Sequence, residues 1–308
     1  MARHHHHRHA HHRPGHGQAS AHAFALGTLL NLAYTAVEAG FGLVTDSLAL
    51  LSDALHNFGD VLGLALAWGA AVLAQRQPTA QHTYGWRRAT LLAPLANALL
   101  LATFSGALSW EAIRRLGAPP EVPGWPVMWV AMLGIAINLG TAWLFHDGRR
   151  VDLNRRGAYL HLMADAMVSI AAVLAGLGML TLHWYWLDPV LALLVAAVVA
   201  GTGWKLMRES FWQVMDAVPE HVDQNAVIAW LQAQDGVQQV HHVHIWALGA
   251  EEVALTAHIV RPRMDDHDAF LDRLVQTLEQ RFGINHSTLQ FEHGPGCAHD
   301  LHDHAPHH

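Results

Sequence analysis

Long apolar segments dominate this sequence, and they determine the solvent in which the chain folds. A helix needs about 20 apolar residues to cross a bilayer core about 30 Å thick. Only 14% of the 308 residues are charged, against about 25% in soluble domains. Six stretches have the required length, and they predict an α-helical membrane protein with six transmembrane helices, at about 22–44, 47–74, 88–113, 124–146, 157–182 and 185–207.

The basic residues between the spans predict the orientation of the chain. Lys and Arg accumulate in the cytoplasmic loops of membrane proteins. Arg114 and Arg115 fall on one side of the predicted membrane, and the other loops and the N-terminal tail place their basic residues on the opposite side. We therefore expect both termini in the cytoplasm and an uncleaved first span. The basic residues on the cytoplasmic side are Arg3, Arg8, Arg13, Arg76, Arg87, Arg88, Arg149, Arg150, Arg155, Arg156, Lys205 and Arg208.

Beyond residue 208 the sequence changes to short segments that carry charges throughout. They predict a helix, two strands, a helix and a strand at 222–234, 240–247, 252–260, 266–282 and 287–292. This α-β-β-α-β order is typical of a small α+β, ferredoxin-like domain, which would gain stability from dimerisation. The expected domains are a His-rich tail at 1–20, a six-helix transmembrane domain at 21–208, a cytoplasmic domain at 209–292 and a second His-rich tail at 293–308.

Histidine is the second unusual feature of the sequence. Twelve of its 27 copies lie in two short tracts, HHHHRHAHH near the start and CAHDLHDHAPHH near residue 300. Such tracts bind metals, including zinc, copper and nickel. An expression tag is the alternative for the first tract, although Arg and Ala interrupt it and a second tract exists. Cys297 is the only cysteine, which excludes an intrachain disulfide and a thiolate cluster.

Ionisable residues interrupt two of the predicted spans at matching positions. The second span carries His56 and Asp60, and the fifth carries His161 and Asp165, so both contain the same four-residue spacing. Residues three or four apart lie on one helix face. Each such group costs roughly 2.5–3.5 kcal/mol at membrane depth, so the set requires a compensating partner. Asp53 lies one turn before His56 and is a candidate acceptor that would orient its imidazole.

A divalent cation would provide that compensation. Two imidazoles and two carboxylates complete the four-coordinate shell that zinc favours. The alternative is hydrogen bonding between helices without metal, but two identical pairs beside His-rich tails favour the metal. A site built by two spans near mid-membrane is typical of a transported substrate. Because imidazoles must lose their protons to bind metal, protons from the far side could displace it.

Five segments carry a recognisable pattern: SLALLSDALHNFGD, HTYGWRRA, NRRGAYLHLMADAMVS, VHHVHIWAL and HSTLQFE. They resemble the cation diffusion facilitator family, in particular its bacterial zinc-efflux branch, and the resemblance covers about residues 20–292. It implies a homodimer in a bacterial inner membrane that exchanges cytoplasmic zinc for external protons. It also implies a transport site of His56, Asp60, His161 and Asp165. His56 favours zinc over cadmium by this resemblance, with cobalt, nickel and cadmium as alternative substrates.

The same resemblance implies further metal sites. His82 matches a loop histidine that binds metal in some members, but Trp86 replaces its partner histidine. The matching residues of the soluble domain are His241, His258, His286 and Glu292, with His267 near a further position. The alternative is that these are ordinary surface histidines. His242 and His244 alternate along one predicted strand face, which favours solvated side chains.

The spans contain two further acidic residues of interest, one with several possible roles and one with a predicted structural role. Glu38 in the first span either lines an aqueous cavity, relays protons, or is a carboxylic acid hydrogen-bonded to a neighbouring helix. Asp188 precedes Pro189, a pattern that predicts the N-cap of the sixth span.

Two other functions compete with transport. An intramembrane metalloprotease needs an open coordination position and usually an H-E-x-x-H helix, which the sequence lacks, so we expect no enzyme. A membrane zinc sensor or store is the stronger rival, because the tails and the soluble domain could bind metal without transport. The expected partners are a second copy of the chain, membrane lipid and protons as the counter-ion, and no nucleic acid.

Overall fold

The computed structural model of the chain describes residues 15–146, 153–262 and 266–294. The histidine tracts, the basic residues of the N-terminal tail, Arg149, Arg150 and Cys297 lie outside the described residues. Among the described residues, 15–62 together with 100–146 and 153–203 form one compact unit, and 63–99 together with 204–262 and 266–294 form a second.

Six long helices in the described part of the chain cover the predicted spans. Five of them, α2 to α6, are long and apolar enough to cross a membrane. The first helix, α1, has 31 residues and therefore also exceeds the length that a crossing needs. The expected membrane fold is thus confirmed, with five strongly apolar spans and α1 in the place of the sixth. The helices are α1 Gly15–Thr45, α2 Leu48–Ala74, α3 Ala89–Leu116, α4 Gly124–Leu144, α5 Leu153–Leu182 and α6 Leu187–Val214.

Small residues allow helices in the first unit to approach each other closely. A Cβ atom added at Gly124 of α4 would lie 2.3 Å from the backbone oxygen of Gly176 in α5. A Cβ atom at Gly134 would lie equally close, at 2.3 Å, to the hydroxyl of Tyr34 in α1. Close packing through small residues is typical of membrane helices, whose association gains little from the hydrophobic effect.

Asp188 does not cap its own helix, which corrects the N-cap that the sequence predicts. The helix α6 begins at Leu187, before the aspartate. Its carboxylate accepts hydrogen bonds from the Ser47 hydroxyl at 2.5 Å and from the backbone N–H groups of Leu48 at 2.8 Å and Ala49 at 3.2 Å. It therefore caps the N-terminus of α2, where the unpaired N–H groups and the helix dipole favour an anion.

The soluble part has the α-β-β-α-β order that the sequence predicts. Its elements are α7 Gln224–Gln232, β1 Gln239–Gly249, β2 Glu252–Val260, α8 His267–Phe282 and β3 His286–Glu292. The strands form one sheet in the order β1-β2-β3, with β1 antiparallel and β3 parallel to β2. Both helices pack on the sheet around a core that includes Leu231, Leu255, Ile259, Leu274 and Leu278.

Candidate metal centres

The two His-Asp pairs predicted for the membrane spans face each other. α2 carries His56 and Asp60, and α5 carries His161 and Asp165, each pair one turn apart on a single helix face. His161 Nε2 lies 2.9 Å from Asp60 Oδ2, and His56 Nε2 lies 3.5 Å from Asp165 Oδ1. His161 Nε2 is also 3.5 Å from Asp165 Oδ2. The structure therefore brings all four side chains together across the two helices.

The spacing of three of these residues is close to that of a zinc shell. One ligand atom from each of His56, His161 and Asp165 lies within 4.8 Å of the others. Bonds of about 2.0–2.1 Å in a tetrahedron put ligand atoms about 3.3 Å apart. The two separations of 3.5 Å are close to this value, whereas 2.9 Å between His161 and Asp60 is a hydrogen-bond distance. Asp60 would have to release His161 to join a cation.

Exposure differs sharply across this set. The side chain of Asp165 is 5% exposed, and its Oδ2 atom has no hydrogen-bond partner among the described residues. The side chains of His161 and Asp60 are 44% and 36% exposed. A buried carboxylate oxygen without a donor is costly, and a cation would satisfy it. The four-residue set is thus shielded from solvent at Asp165 and exposed to solvent at Asp60 and His161.

A second pair of carboxyl groups lies beside the set. Asp53, three residues before His56, is buried and hydrogen-bonds with Glu38 of α1. Glu38 also accepts a hydrogen bond from the Tyr34 hydroxyl at 2.8 Å and another from Asn57 Nδ2 at 3.3 Å. Among the described residues, no hydrogen bond joins Asp53 to His56. This geometry fits a buried carboxylic acid hydrogen-bonded to the neighbouring helix α2.

The loop between α2 and α3 does not bring a second ligand to His82. The imidazole of His82 stacks on the indole of Trp86, with ring centroids 4.3 Å apart and planes 25° apart. Trp86, which occupies the position of a partner histidine in the resembling proteins, thus packs on His82 instead. Among the described residues, His82 belongs to no group of candidate metal ligands.

A second group of ligands lies on the sheet of the soluble part. His241 of β1 is paired with His258 of β2, and Glu292 ends β3 on the other side of β2. Glu292 Oε1 lies 2.9 Å from His258 Nδ1, and Glu292 Oε2 lies 3.4 Å from His241 Nε2. Both ring nitrogens of His241 lack a hydrogen-bond partner among the described residues. Three of the predicted secondary ligands therefore lie within 4.8 Å of one another.

The ring of His242 lies beside this group, contrary to the solvated position expected from strand alternation. The pairing of β1 with β2 is irregular between His241 and His244, where two residues of β1 oppose one of β2. This β-bulge puts His242 at a positive φ of 48°. Its ring centroid lies 5.3 Å from that of His241 and 5.1 Å from that of His258. His244 is exposed, as expected.

The other two predicted ligands of the soluble part lie elsewhere. His286 begins β3 and is exposed, with its ring in edge contact with Tyr84 at 5.3 Å. His267 begins α8, and its ring lies 4.8 Å from that of Phe291. Among the described residues, neither belongs to a group of three candidate ligands.

Comparisons with known proteins support the resemblance carried by the sequence motifs. Residues 25–215 match the family described as the cation efflux transmembrane domain, and residues 219–294 match the cation efflux protein, cytoplasmic domain. The chain belongs to the cation efflux family. The resemblance to cation diffusion facilitators is thereby confirmed.

The similar proteins of known name are transport proteins. This cation efflux protein is 35% identical to the zinc transporter ZitB of Yersinia pestis over 274 residues, which cover 88% of this chain and 86% of that protein. It is 36% identical to ZitB of Escherichia coli over 271 residues, 85% of each chain. It is 33% identical over 264 residues to the cadmium, cobalt and zinc/H⁺-K⁺ antiporter of Bacillus subtilis, covering 84% of this chain and 85% of that one. A multi-pass membrane protein is consistent with both the apolar helices and these relatives.

Proposed function

We propose that this protein is a secondary active transporter that exports zinc from the cytoplasm in exchange for protons. His56, Asp60, His161 and Asp165 would bind the transported ion. The observation that carries the proposal is the convergence of these four side chains from two apolar helices, with nitrogen–oxygen distances of 2.9 to 3.5 Å. By the resemblance and the distribution of basic residues, the protein lies in a bacterial inner membrane with both termini in the cytoplasm.

The donor atoms support zinc as the substrate. Two imidazole nitrogens and two carboxylate oxygens suit zinc, which accepts both donor types in a tetrahedral shell. Cobalt and nickel bind the same donors. Relatives named as cadmium, cobalt and zinc antiporters support cadmium and cobalt as alternative substrates.

The contacts between the pairs support proton exchange. An imidazole donates to a carboxylate through a ring N–H, so the 2.9 Å contact of His161 with Asp60 uses atoms that zinc would need. Zinc and protons therefore compete for the same nitrogen atoms, and one displaces the other. The buried carboxyl pair of Asp53 and Glu38 adjoins the site and is a further candidate for the proton pathway.

The soluble domain would add a regulatory or capturing metal site in a homodimer. Its candidate ligands are His241, His258 and Glu292, one atom of each lying within 4.8 Å of the others, with the ring of His242 beside them. Both ring nitrogens of His241 lack a hydrogen-bond partner among the described residues. This cluster also supports the rival function of a zinc sensor or store, because it needs no transport. His82, His267 and His286 receive no support from the geometry.

Transport into proteoliposomes separates these functions. The purified protein is reconstituted with a zinc dye inside the vesicles, and the lumen is made acidic relative to the bath. For molecules whose cytoplasmic face points outwards, zinc uptake should accelerate and the lumen should become more alkaline, because protonation on the acidic side favours release. A protonophore should slow uptake. Zinc binding without uptake would support the function of a sensor or store. Uptake that does not depend on the pH gradient would support a passive carrier.

A further inference from the structure

A pocket at the end of α6 belongs to neither metal centre. Its volume is about 470 Å³, within the roughly 300–1,000 Å³ range of small-molecule sites. Four charged side chains and two indoles contribute to its lining: Lys205, Arg208, Glu209, Glu220, Trp204 and Trp212. All six belong to one short stretch of chain, from the last turns of α6 to the segment after it.

The position of the pocket along α6 corresponds to the membrane–water interface. At about 1.5 Å per residue, Trp204 lies about 26 Å and Trp212 about 38 Å from the first residue of the helix. The hydrocarbon core is about 30 Å thick, so the two indoles bracket the depth at which headgroups begin. Trp204 is 64% and Trp212 is 53% exposed. Exposed tryptophans at this depth are typical of contact with lipid headgroups.

Both signs of charge face the pocket. Lys205 and Arg208 supply two cations, and Glu209 and Glu220 supply two carboxylates. Lys205 Nζ lies 3.7 Å from Glu209 Oε1 in a pair whose lysine is 81% exposed, so water screens their attraction. Such a lining matches a ligand that carries a phosphate and an ammonium group together. A purely anionic headgroup would meet the two carboxylates, and a quaternary ammonium has no N–H to donate to them.

We propose that this pocket binds the headgroup of a zwitterionic membrane phospholipid that has a primary ammonium group. Its phosphate contacts Lys205 and Arg208, and its ammonium donates hydrogen bonds to Glu209 and Glu220. The exposed indoles lie against the glycerol and the upper acyl chains. The site is independent of the proposed transport function, because it shares no residue with the transport site.

The test measures which lipids stay bound to the full-length protein. The protein is reconstituted into vesicles with equal amounts of phosphatidylethanolamine, phosphatidylglycerol and phosphatidylcholine, extracted in mild detergent, and its retained lipids are counted by mass spectrometry. Phosphatidylethanolamine should be enriched about tenfold over phosphatidylcholine, since only the primary ammonium forms charge-assisted hydrogen bonds with the carboxylates.

Variants then assign the preference to the pocket. Glu209→Gln with Glu220→Gln should shift retention towards phosphatidylglycerol, and Lys205→Gln with Arg208→Gln should lose retention of both lipids. Arg155→Gln with Arg156→Gln removes two basic residues at the end of another span and should leave retention unchanged. Retention of the three lipids in their bulk ratio by the wild-type protein would overturn the proposal, whether or not the variants fold. Wild-type retention in well-folded pocket variants would overturn it equally.

Discussion

The two candidate metal centres use the same kinds of side chain but position them differently. In the membrane part, two continuous helices each present a histidine and an aspartate four residues apart. In the soluble part, three strands each contribute one candidate ligand, and a β-bulge brings the ring of His242 close to two of them. The helical repeat aligns each His-Asp pair of the first arrangement on one helix face, whereas the second arrangement depends on strand register.

This difference determines how each centre can respond to change. A helix fixes the relative positions of His161 and Asp165 through its own hydrogen bonds, so the pair stays together wherever the helix moves. A bulge leaves a residue of the strand unpaired, and a shift of one residue would turn the side chains of β1 to the opposite face. We therefore expect substitutions in the membrane set to act through loss of a ligand and those in the strand set to act through geometry as well.

The largest expected effect is loss of transport in Asp165→Ala. This residue is the most buried of the four and contacts both imidazoles at 3.5 Å, so its removal takes away the charge that would hold the cation. Zinc uptake into proteoliposomes should fall to background, while expression and the size-exclusion profile stay normal. Asp46→Asn is the matched control, because Asp46 is an exposed acid in the turn before α2. Wild-type uptake by Asp165→Ala would refute the assignment of the site.

The next largest effect is a change in metal selectivity in His56→Asp. A carboxylate in place of this imidazole changes the donor set to one nitrogen and three oxygens and loosens its geometry, which reduces the preference for zinc. The ratio of cadmium to zinc uptake should rise by about tenfold, equivalent to about 1.4 kcal/mol. Parallel uptake assays with the two metals measure it. An unchanged ratio would show that His56 is not a ligand.

The order of helices and strands and the spacing along each helix could be predicted from the sequence. The irregular pairing of β1 and contacts between distant residues could not. The spacing of His56 and Asp60 fixed their common face without any knowledge of neighbouring helices. The sequence could not reveal that Asp188 caps α2, because the helix terminus that it contacts is 140 residues away. Nor could it place His242, since alternation assumes regular pairing and the bulge appears only in the register of β1 with β2.

A comparison of two neighbouring histidines tests the role of that bulge. His242 lies with His241 and His258, whereas His244 is exposed on the same strand. In a background with Asp165→Ala, His242→Ala should weaken zinc binding to the protein about tenfold or more, and His244→Ala should leave it unchanged. Isothermal titration at fixed pH measures both. Equal effects of the two substitutions would mean that the bulge does not build a metal site.

The smallest expected effect concerns the contacts that hold Glu292, the candidate ligand on β3, in place. The backbone N–H of Arg261 donates to the Glu292 carbonyl at 2.8 Å, and the guanidinium of the buried Arg261 lies 2.7 Å from Asp266 Oδ1. This guanidinium lowers the pKa of Asp266 below its ordinary value. A carboxyl group with a lowered pKa stabilises the folded state above its unfolded pKa of about 3.9, and this contribution is lost as the pH falls through the folded value.

Asp266→Asn should therefore slightly destabilise the soluble domain at about pH 5, and the difference from wild type should shrink as the pH falls below the unfolded pKa of about 3.9 and through the lower folded value. Pulse proteolysis of the full-length protein with an acid-active protease, over a denaturant series, gives the unfolding midpoint of this domain at each pH. The control is Asp268→Asn, which removes an exposed carboxylate from the first turn of the same helix, α8.

Because Arg261 is bonded to both Asp266 and the Glu292 backbone, zinc affinity of the strand cluster should weaken slightly in Asp266→Asn and stay unchanged in the control. A pH-independent difference between Asp266→Asn and wild type would show that the Arg261–Asp266 pair contributes nothing to the stability of this domain.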